Sequence, residues 1–423
     1  MASKFARIKY DKTKVDAADA PALALDTRPA NAAPLDRDEM EADISKQLLA
    51  NGFVQSYVDF YHLTNRIDPA TALSQKKSRL HVAENDMKFI RDNLVAAEIA
   101  RRGGNTAGVF SALNKLADFY SNNGDYKTSI FFHEKRLDVA QLVGDDRSMM
   151  SANHSIGIIY QKCDDYETAK KFHEKHEETA LNYDVAEEVA VANTELLKVY
   201  LVLAKEHENR GNTTEAQLLY IKCLDAAKKC WDRASEGRIN GKIGNLMLQC
   251  GETMACLPYL RQQSQIASDM SDADERCKAC SSLAIAFEML GQSDKALDEL
   301  KLVNKISEQA GDTLLQLQAC KALGILYSKM SKLEMASDSL QLHFNLVKGI
   351  LTSKSRALAA ADAKKPSSTV SPRDMDLARI FVGTSSGNLM MKSYVQTMQS
   401  NPMNLLDWKM NRSSFLPAPA PLN

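Results

Sequence analysis

The feature that most restricts the fold of this chain is a sequence pattern that returns at a fixed interval. The segment from Leu113 to Ala140 reads LNKLADFYSNNGDYKTSIFFHEKRLDVA. Its pattern returns as SIGIIYQKCDDYETAKKFHEKHEETA, with Tyr160 standing 40 residues after Tyr120. A fixed period of this length is typical of repeat proteins, whose units bury their apolar faces against their neighbours. We therefore expect a solenoid that grows unit by unit.

Each unit has the pattern of a helix pair. Leu116 and Tyr120 lie on one face of the first helix, and Asn123-Gly124-Asp125 forms a turn. The second helix begins at Tyr126 and carries a small residue, Ser129, which lets two helix backbones approach closely. This arrangement resembles the tetratricopeptide repeat, in which Leu, Gly and Tyr mark the first helix and Tyr and Ala mark the second.

Six such units can be placed along the chain. The small residue of the second helix recurs at Ser129, Ala169, Ala216, Cys256, Ala296 and Ala336. The step from Ala169 to Ala216 is 47 residues and the others are 40, so the first helix of repeat 3, Glu187 to Asn209, should be about two turns longer than its counterparts. The predicted fold class is all-α: a tetratricopeptide superhelical solenoid of about six 40-residue helix-turn-helix repeats with helical caps at both ends.

Composition and periodicity divide the remainder of the chain. Stretches rich in Ala, Asp, Pro and Ser without periodicity are expected to be tails or loops, and amphipathic stretches beside the repeats are expected to cover the terminal apolar faces. The predicted divisions are a disordered tail at 1–36, an N-terminal helical cap at 37–102, the solenoid at 103–362, a Pro/Ser loop at 363–373, a C-terminal helical cap at 374–412 and a Pro-rich tail at 413–423.

Five local expectations accompany these divisions. The N-terminal cap should contain one or two helices within 36–65 and a long helix from about Ser78 to Arg101. A further helix should follow repeat 6 near His343 to Ala361, and the C-terminal cap should be interrupted at Gly383–Gly387. Pro258 should bend the second helix of repeat 4 or delay its start, because proline inside a helix removes a backbone hydrogen bond.

Overall composition argues against several classes of partner. The net charge is −1, from 53 basic and 54 acidic residues, so no field strong enough to attract nucleic acid or a membrane surface is expected. No apolar run approaches the roughly 18 to 20 residues that span a bilayer, and the N-terminus lacks an apolar signal core. Eight cysteines lie inside repeats, as expected for reduced thiols packed as small hydrophobic groups. A soluble intracellular protein is expected.

Motifs that carry chemistry are weak in this sequence. Cys277 and Cys280 have the spacing of half a zinc site, but no second pair of suitable spacing follows. His173-Glu-Lys-His176 has histidines three residues apart where a zincin needs four, and the corresponding His133-Glu-Lys-Arg136 marks the motif as a repeat feature. Because no phosphate loop, nucleophile elbow or dinucleotide fingerprint occurs either, we predict no catalytic residue, no metal, no cofactor and no enzyme activity.

A tetratricopeptide solenoid offers a concave groove formed by positions 2, 5, 9 and 12 of each first helix. Apolar side chains there suit burial and basic ones suit acidic groups of an extended or helical peptide, although a solvated inner wall is the alternative for any single residue. The first repeat does not fit a chaperone carboxylate clamp, because Asp118 would repel a carboxylate. The predicted groove residues are Asn114, Asp118, His154, Ile158, Lys198, Leu201, Lys205, Arg238, Asn245, Lys278, Ile285, Lys321 and Ile325.

Both ends of the chain carry further candidate contacts. Basic residues interleaved with Phe5, Ile8 and Tyr10 could touch an acidic polymer such as tubulin, and a solvated tail is the alternative. These basic residues are Lys4, Arg7, Lys9, Lys12 and Lys14, and the apolar C-terminal candidates are Leu405, Leu406 and Trp408.

Several segments together resemble the tetratricopeptide repeat protein 29 family of flagellar proteins. They are LLANGFVQSY at Leu48 to Tyr57, the first repeat, the over-long first helix of repeat 3, and LLDWKMNR at Leu405 to Arg412. The similarity covers roughly residues 40 to 412, and the loop Lys364 to Arg373 and the Pro-rich tail depart from it.

The resemblance implies a structural protein of the cilium or flagellum axoneme, within the cytoplasm and cytoskeleton, that is required for ciliary motility. Its implied partners are a single-headed inner-arm dynein heavy chain, accessory subunits that include a MYND zinc-finger protein, and tubulin of the doublet microtubule. Two alternatives remain open at the level of sequence. One is a cytoplasmic adaptor for dynein preassembly or intraflagellar transport, and the other is a polarity scaffold at a membrane complex.

Overall fold

In the computed structural model, the described residues are 37–66, 82–359 and 370–400, with 403, 406 and 410. Every regular element in these ranges is an α-helix. The helices are α1 Arg37–Ala50, α2 Val54–Thr64, α3 Glu84–Arg102, α4 Thr106–Asn122, α5 Tyr126–Val143, α6 Asp146–Lys162, α7 Tyr166–Asn182, α8 Ala186–Asn209, α9 Thr213–Lys229, α10 Arg233–Gln249, α11 Thr253–Asp269, α12 Ala273–Met289, α13 Ser293–Ala310, α14 Thr313–Lys329, α15 Leu333–Ala359 and α16 Pro372–Ser400.

The six predicted helix pairs correspond to helices α4 to α15. Within a pair, such as α6 with α7 or α10 with α11, the helices pack against each other. The chain divides into two compact units, Met1–Val202 and Leu203–Asn423, and the division falls within α8. The predicted all-α tetratricopeptide solenoid is confirmed. None of the helices in the described ranges is long and apolar enough to cross a membrane.

The length of α8 confirms the prediction for repeat 3. This helix has 24 residues, whereas α6 and α10 have 17 each. The difference of seven residues is about two helical turns.

Aspartates fix where many of the helices begin. The side chain of Asp145 accepts a hydrogen bond from the backbone N–H of Ser148, and Asp165 and Asp272 accept equivalent bonds from residues three positions later. Such N-caps satisfy a backbone donor that the first helical turn leaves free. The hydrogen bond from the Ser148 hydroxyl, together with this backbone contact, lowers the pKa of Asp145.

Glycines allow the two helices of a repeat to approach closely. A Cβ atom built on Gly324 of α14 would lie 2.4 Å from Cγ of Leu340 on α15. A Cβ on Gly244 of α10 would lie 2.5 Å from Cδ2 of Leu260 on α11. Since real Cβ contacts are longer than 3.0 Å, these positions require glycine for the observed packing.

The N-terminal helices α1 to α3 pack on the first repeat. Leu48, Phe60 and Ile90 are fully buried in one apolar cluster with Leu116 of α4. Buried Glu98 of α3 accepts hydrogen bonds from the backbone N–H and the hydroxyl of Ser56 at 2.8 and 2.6 Å. The apolar face of the first repeat is therefore covered.

At the other end, α16 packs on α15. A buried cluster joins the two helices. It consists of Val347 of α15, Ala378 of α16 and Val370, which lies just before α16. The helix begins at Pro372, where Asp374 accepts hydrogen bonds from the backbone and hydroxyl of Ser371 at 2.7 and 2.8 Å. It starts two residues before the predicted cap.

Two local expectations are wrong, and a third is narrowed. Gly383 and Gly387 do not interrupt the C-terminal helix, because α16 runs continuously through both. The second helix of repeat 6 and the helix expected after it form the single 27-residue α15. Pro258 does not delay α11, which begins at Thr253 and contains the proline, so a bend there stays a prediction. The predicted start of α3 near Ser78 lies outside the described residues, and the observed helix begins at Glu84.

Candidate protein-binding grooves and a histidine cluster

The second unit contains a groove of about 850 Å³ lined mainly by the first helices of repeats 4 to 6. We call it the second-unit groove. Four predicted groove residues meet in it: Arg238 and Asn245 from α10, and Lys278 and Ile285 from α12. They lie together because positions three or four apart, or multiples of that spacing, share one face of a helix. The groove is also lined by Glu208, Lys242, Leu248, Glu275, Met289 and Gln318.

The basic groups of the second-unit groove differ in how they are held. Lys278 lies 2.7 Å from Asp274 and 2.9 Å from Glu275, and hydrogen bonds to these carboxylates raise its pKa. Glu275 also accepts a hydrogen bond from the Gln263 amide at 3.0 Å. Arg238 donates to the Ser235 hydroxyl at 3.2 Å and forms no ion pair within the described ranges. Its guanidinium, unlike the Lys278 ammonium, is therefore not held by a carboxylate in an ion pair within these ranges.

Apolar side chains are exposed beside these charges. Ile285 is 54% exposed and Met289 is 56% exposed. Fully burying an aliphatic side chain of this size stabilises a complex by roughly 1.5–3 kcal/mol relative to leaving it exposed. The groove therefore offers both hydrophobic and charged contacts to a peptide.

A smaller groove of about 510 Å³ lies in the first unit, and we call it the first-unit groove. It contains the predicted residues Ile158 of α6 and Lys198 of α8, together with Gln161 and Glu195. Lys198 pairs with Glu195 at 2.7 Å. Burial raises the pKa of Glu195, but hydrogen bonds from Lys198 and Gln161 outweigh this and lower it. Here the lysine already has a carboxylate partner.

The structure places some predicted groove residues elsewhere. Asn114 donates to Asp118 at 2.8 Å and accepts from Arg136 at 2.7 Å. Nζ of Lys321 lies 5.4 Å from the ring centroid of Phe381 on α16, so this half-buried lysine contacts the C-terminal helix. Leu201, Lys205 and Ile325 do not line either groove, and Leu406 is exposed. The predicted contacts at Lys4, Arg7, Lys9, Lys12, Lys14, Leu405 and Trp408 lie outside the described residues.

A cluster of three histidines in repeat 2 was not recognised from the sequence. His154 belongs to α6, whereas His173 and His176 belong to α7. One ring nitrogen from each histidine lies within 4.8 Å of those from the other two. His173 and His176 are fully buried, and His154 is half-buried. The sequence does contain a signal for this cluster. His173 and His176 are three residues apart on α7, and His154 lies on α6, the helix that pairs with α7.

The environment favours the neutral form of two of these rings, His173 and His154. Burial, and then the neighbouring His154, lower the pKa of His173 to about 4. Burial and the neighbouring His176 lower the pKa of His154 as well. A Cβ atom on Gly157 would lie 2.5 Å from the His173 ring, so the absence of a side chain at Gly157 makes room for it.

Comparison with known proteins agrees with the helical repeats. No family model matches the chain. A 270-residue stretch is 21% identical to "Tetratricopeptide repeat protein 29" of Trypanosoma brucei brucei, covering 63% of this chain and 55% of that protein. Our chain is built of tetratricopeptide-type repeats. It spans little more than half the length of this curated relative.

Solved structures with similar chains are also repeat proteins. The tetratricopeptide sensor protein PH0952 of Pyrococcus horikoshii, a signal-transduction ATPase, is 14% identical, with a TM-score of 0.38 over 88% of this chain and 51% of that chain. Tetratricopeptide-like repeats of a kinesin light chain from Podosopora anserina are 17% identical, with a TM-score of 0.30 over 48% of this chain and 95% of that chain.

Proposed function

We propose that the protein is a non-catalytic scaffold of the ciliary or flagellar axoneme. In this role it docks or stabilises a single-headed inner-arm dynein on the doublet microtubule, together with accessory subunits that include a MYND zinc-finger protein. The observation that carries the proposal is the second-unit groove, which combines the Arg238 guanidinium with exposed apolar side chains. The similarity to a trypanosome protein named tetratricopeptide repeat protein 29, and the family resemblance of several segments, support the ciliary setting.

The groove suits a peptide that carries acidic and apolar groups on one face. An acidic side chain would pair with Arg238, where a carboxylate meets guanidinium donors in a fork-like geometry. Apolar side chains of the same segment would cover Ile285 and Met289. The Lys278 ammonium already pairs with Asp274 and Glu275, so an acidic ligand would have to share it with these two carboxylates. A segment of the dynein tail or an accessory subunit is the proposed occupant.

The test reverses charge in the groove and compares it with the same reversal elsewhere. Arg238→Glu, alone and with Lys278→Glu, should reduce capture of the inner-arm dynein from axonemal extracts at least tenfold. The matched control is Lys301→Glu with Lys305→Glu, because both lysines are exposed on α13 and do not line the groove. It changes the net charge equally and should leave capture unchanged. Far-UV circular dichroism checks that all variants keep their helices.

Outcomes that contradict the proposal are clear. Equal dynein capture by the groove variants and the wild type would exclude the second-unit groove as the docking surface. Fractionation of motile cells gives an independent readout, since an axonemal scaffold should remain with washed axonemes. Confinement of the protein to the cytoplasmic pool would favour the adaptor role in preassembly or transport.

A further inference from the structure

Three buried imidazoles in one repeat form an unusual arrangement for a helix–helix contact. The Nδ1 atoms of His154, His173 and His176 are all buried and have no hydrogen-bond partner among the described residues. A buried polar atom without a partner costs roughly 1–3 kcal/mol, because it has lost its hydrogen bonds to water. Three such atoms in one cluster require a physical explanation.

A divalent metal ion would give each ring a partner, because one ring nitrogen from each histidine lies within 4.8 Å of those from the other two. We propose that His154, His173 and His176 bind one zinc ion, which links α6 to α7 inside repeat 2. Neutral imidazole is a preferred zinc ligand, and three histidines with one position left for water form a known type of zinc coordination. The site is independent of the proposed docking role and concerns the integrity of the repeat.

A hydrogen bond made by the other ring nitrogen of His176 supports zinc binding. Nε2 of His176 lies 2.9 Å from Oε2 of Glu188 on α8, so this nitrogen donates its proton to the carboxylate. The lone pair of the same ring is then on Nδ1, the atom that has no partner. Metal-binding histidines commonly donate their other ring N–H to a carboxylate in this way. His173 differs, because the Gln161 amide N–H donates to its Nε2 at 2.9 Å. Zinc binding through Nδ1 of His173 therefore requires the Gln161 amide to turn, so that its oxygen accepts a hydrogen bond from Nε2–H.

The geometry requires only a small contraction. If the three nitrogens were all separated by the full 4.8 Å, a point equidistant from them would be about 2.8 Å from each. Zinc–imidazole bonds are about 2.0–2.1 Å long, so each nitrogen would move inward by about 0.7 Å. Small rotations of the imidazole rings achieve this. His154 is half-buried, which gives the ion and a water ligand a route from solvent.

Repeat 1 shows how the same place is filled without a metal. Its residues 40 positions earlier are Asn114, His133 and Arg136 instead of the three histidines. There, the Arg136 guanidinium donates to Asn114 Oδ1 at 2.7 Å and also to Ser151 Oγ. The cation of repeat 1 is thus a side chain, whereas repeat 2 places three imidazoles at the corresponding positions. This comparison supplies a matched variant: His154→Asn with His176→Arg.

The experiment measures zinc binding by the full-length chain, with zinc chloride titrated against a chromophoric chelator. One zinc ion per chain is expected, and X-ray absorption at the zinc edge should show nitrogen neighbours at about 2.0–2.1 Å. The double variant should lose at least a hundredfold in affinity. Glu188→Gln, which only removes the carboxylate partner of His176, should lose about ten- to a hundredfold. His133→Gln, at the equivalent position of repeat 1, should bind as the wild type does.

Exposed thiols are the competing ligands. Cys163 and Cys250 are exposed, so each is replaced by serine in all variants. A sulfur shell at about 2.3 Å, no stoichiometric zinc binding, or unchanged affinity in the double variant would overturn the proposal. If the double variant fails to fold by circular dichroism, His154→Gln at the half-buried position replaces it and must lose affinity as well.

Discussion

Replacing Gly324 by alanine tests whether glycine is needed where the two helices of repeat 6 meet. The new Cβ would lie 2.4 Å from Cγ and 2.6 Å from Cδ2 of Leu340, a residue that is almost fully buried. Ordinary van der Waals contact begins at 3.4 Å, so Leu340 or its helix must move by about 1 Å. Rotating the end of the leucine side chain cannot relieve the Cγ contact.

Two opposing effects set the size of the change. Alanine is about 1 kcal/mol more favourable than glycine inside a helix. Overpacking of a well-packed core costs about 1–3 kcal/mol. The net destabilisation of Gly324→Ala should therefore lie between about 0 and 2 kcal/mol. Gly349→Ala on α15 is the matched control, because a Cβ there meets nothing within 4 Å and gains only the helix preference.

The difference between the two alanine variants isolates the overpacking. It should be about 1–3 kcal/mol, which corresponds to a roughly fivefold to hundredfold change in an opening equilibrium. Hydrogen exchange of the amides in α14 and α15 measures this local opening, and it suits a repeat protein whose units open separately. If Gly324→Ala slows exchange as much as Gly349→Ala does, the close approach of the helices at Gly324 is not what the structure indicates.

Three further changes should have measurable effects. Burial, and then Arg136, lower the pKa of His133 to about 4. Between about pH 6.5 and pH 4 the unfolded chain therefore binds more protons than the folded chain. The free energy of unfolding should fall by up to about 3 kcal/mol as the pH falls through this window. Trp231 has φ +61° and is 85% exposed, so Trp231→Gly should raise stability by about 1 kcal/mol in urea unfolding. Asp165→Ala removes the N-cap of α7 and should cost about 0.5–2 kcal/mol in the same assay.

Controls make these three results decisive. Exposed His62→Gln should leave the acid dependence of stability unchanged, whereas His133→Gln should reduce it and leave the part contributed by His173. An equal acid dependence in both variants would exclude His133 as the cause. Lower stability of Trp231→Gly would show that the tryptophan makes contacts that outweigh its backbone strain. Asp165→Asn should restore most of the loss, since asparagine also caps helices.

The repeats were predictable because their signal is local and occurs six times. The period of 40 residues and the step of 47 were enough to predict the long helix α8. The groove residues Arg238, Asn245, Lys278 and Ile285 also followed from helical spacing, and the structure brings them together. Because the same positions recur in six units, an ambiguous residue in one unit can be assigned from its equivalents in the other units.

Features that depend on contacts between distant segments were not predictable. Lys321 has the spacing of a groove residue, but it contacts Phe381 of α16. No local sequence pattern predicts that contact. The glycines at 383 and 387 suggested a break, yet the helix continues through them because glycine lowers helix stability by only about 1 kcal/mol each. The histidine cluster joins two helices, whereas motif spacing examines only one.

Cross-linking mass spectrometry of isolated axonemes, washed at low salt and then extracted at high salt, decides whether this chain is an axonemal dynein scaffold. Lys242 and Lys278 line the second-unit groove and provide reactive amines within it. The proposed function predicts that the protein survives the wash, leaves with the inner-arm dyneins and forms cross-links from these lysines to a heavy-chain tail or an accessory subunit. Absence from washed axonemes, with cross-links only to cytoplasmic chaperones or transport complexes, would contradict it.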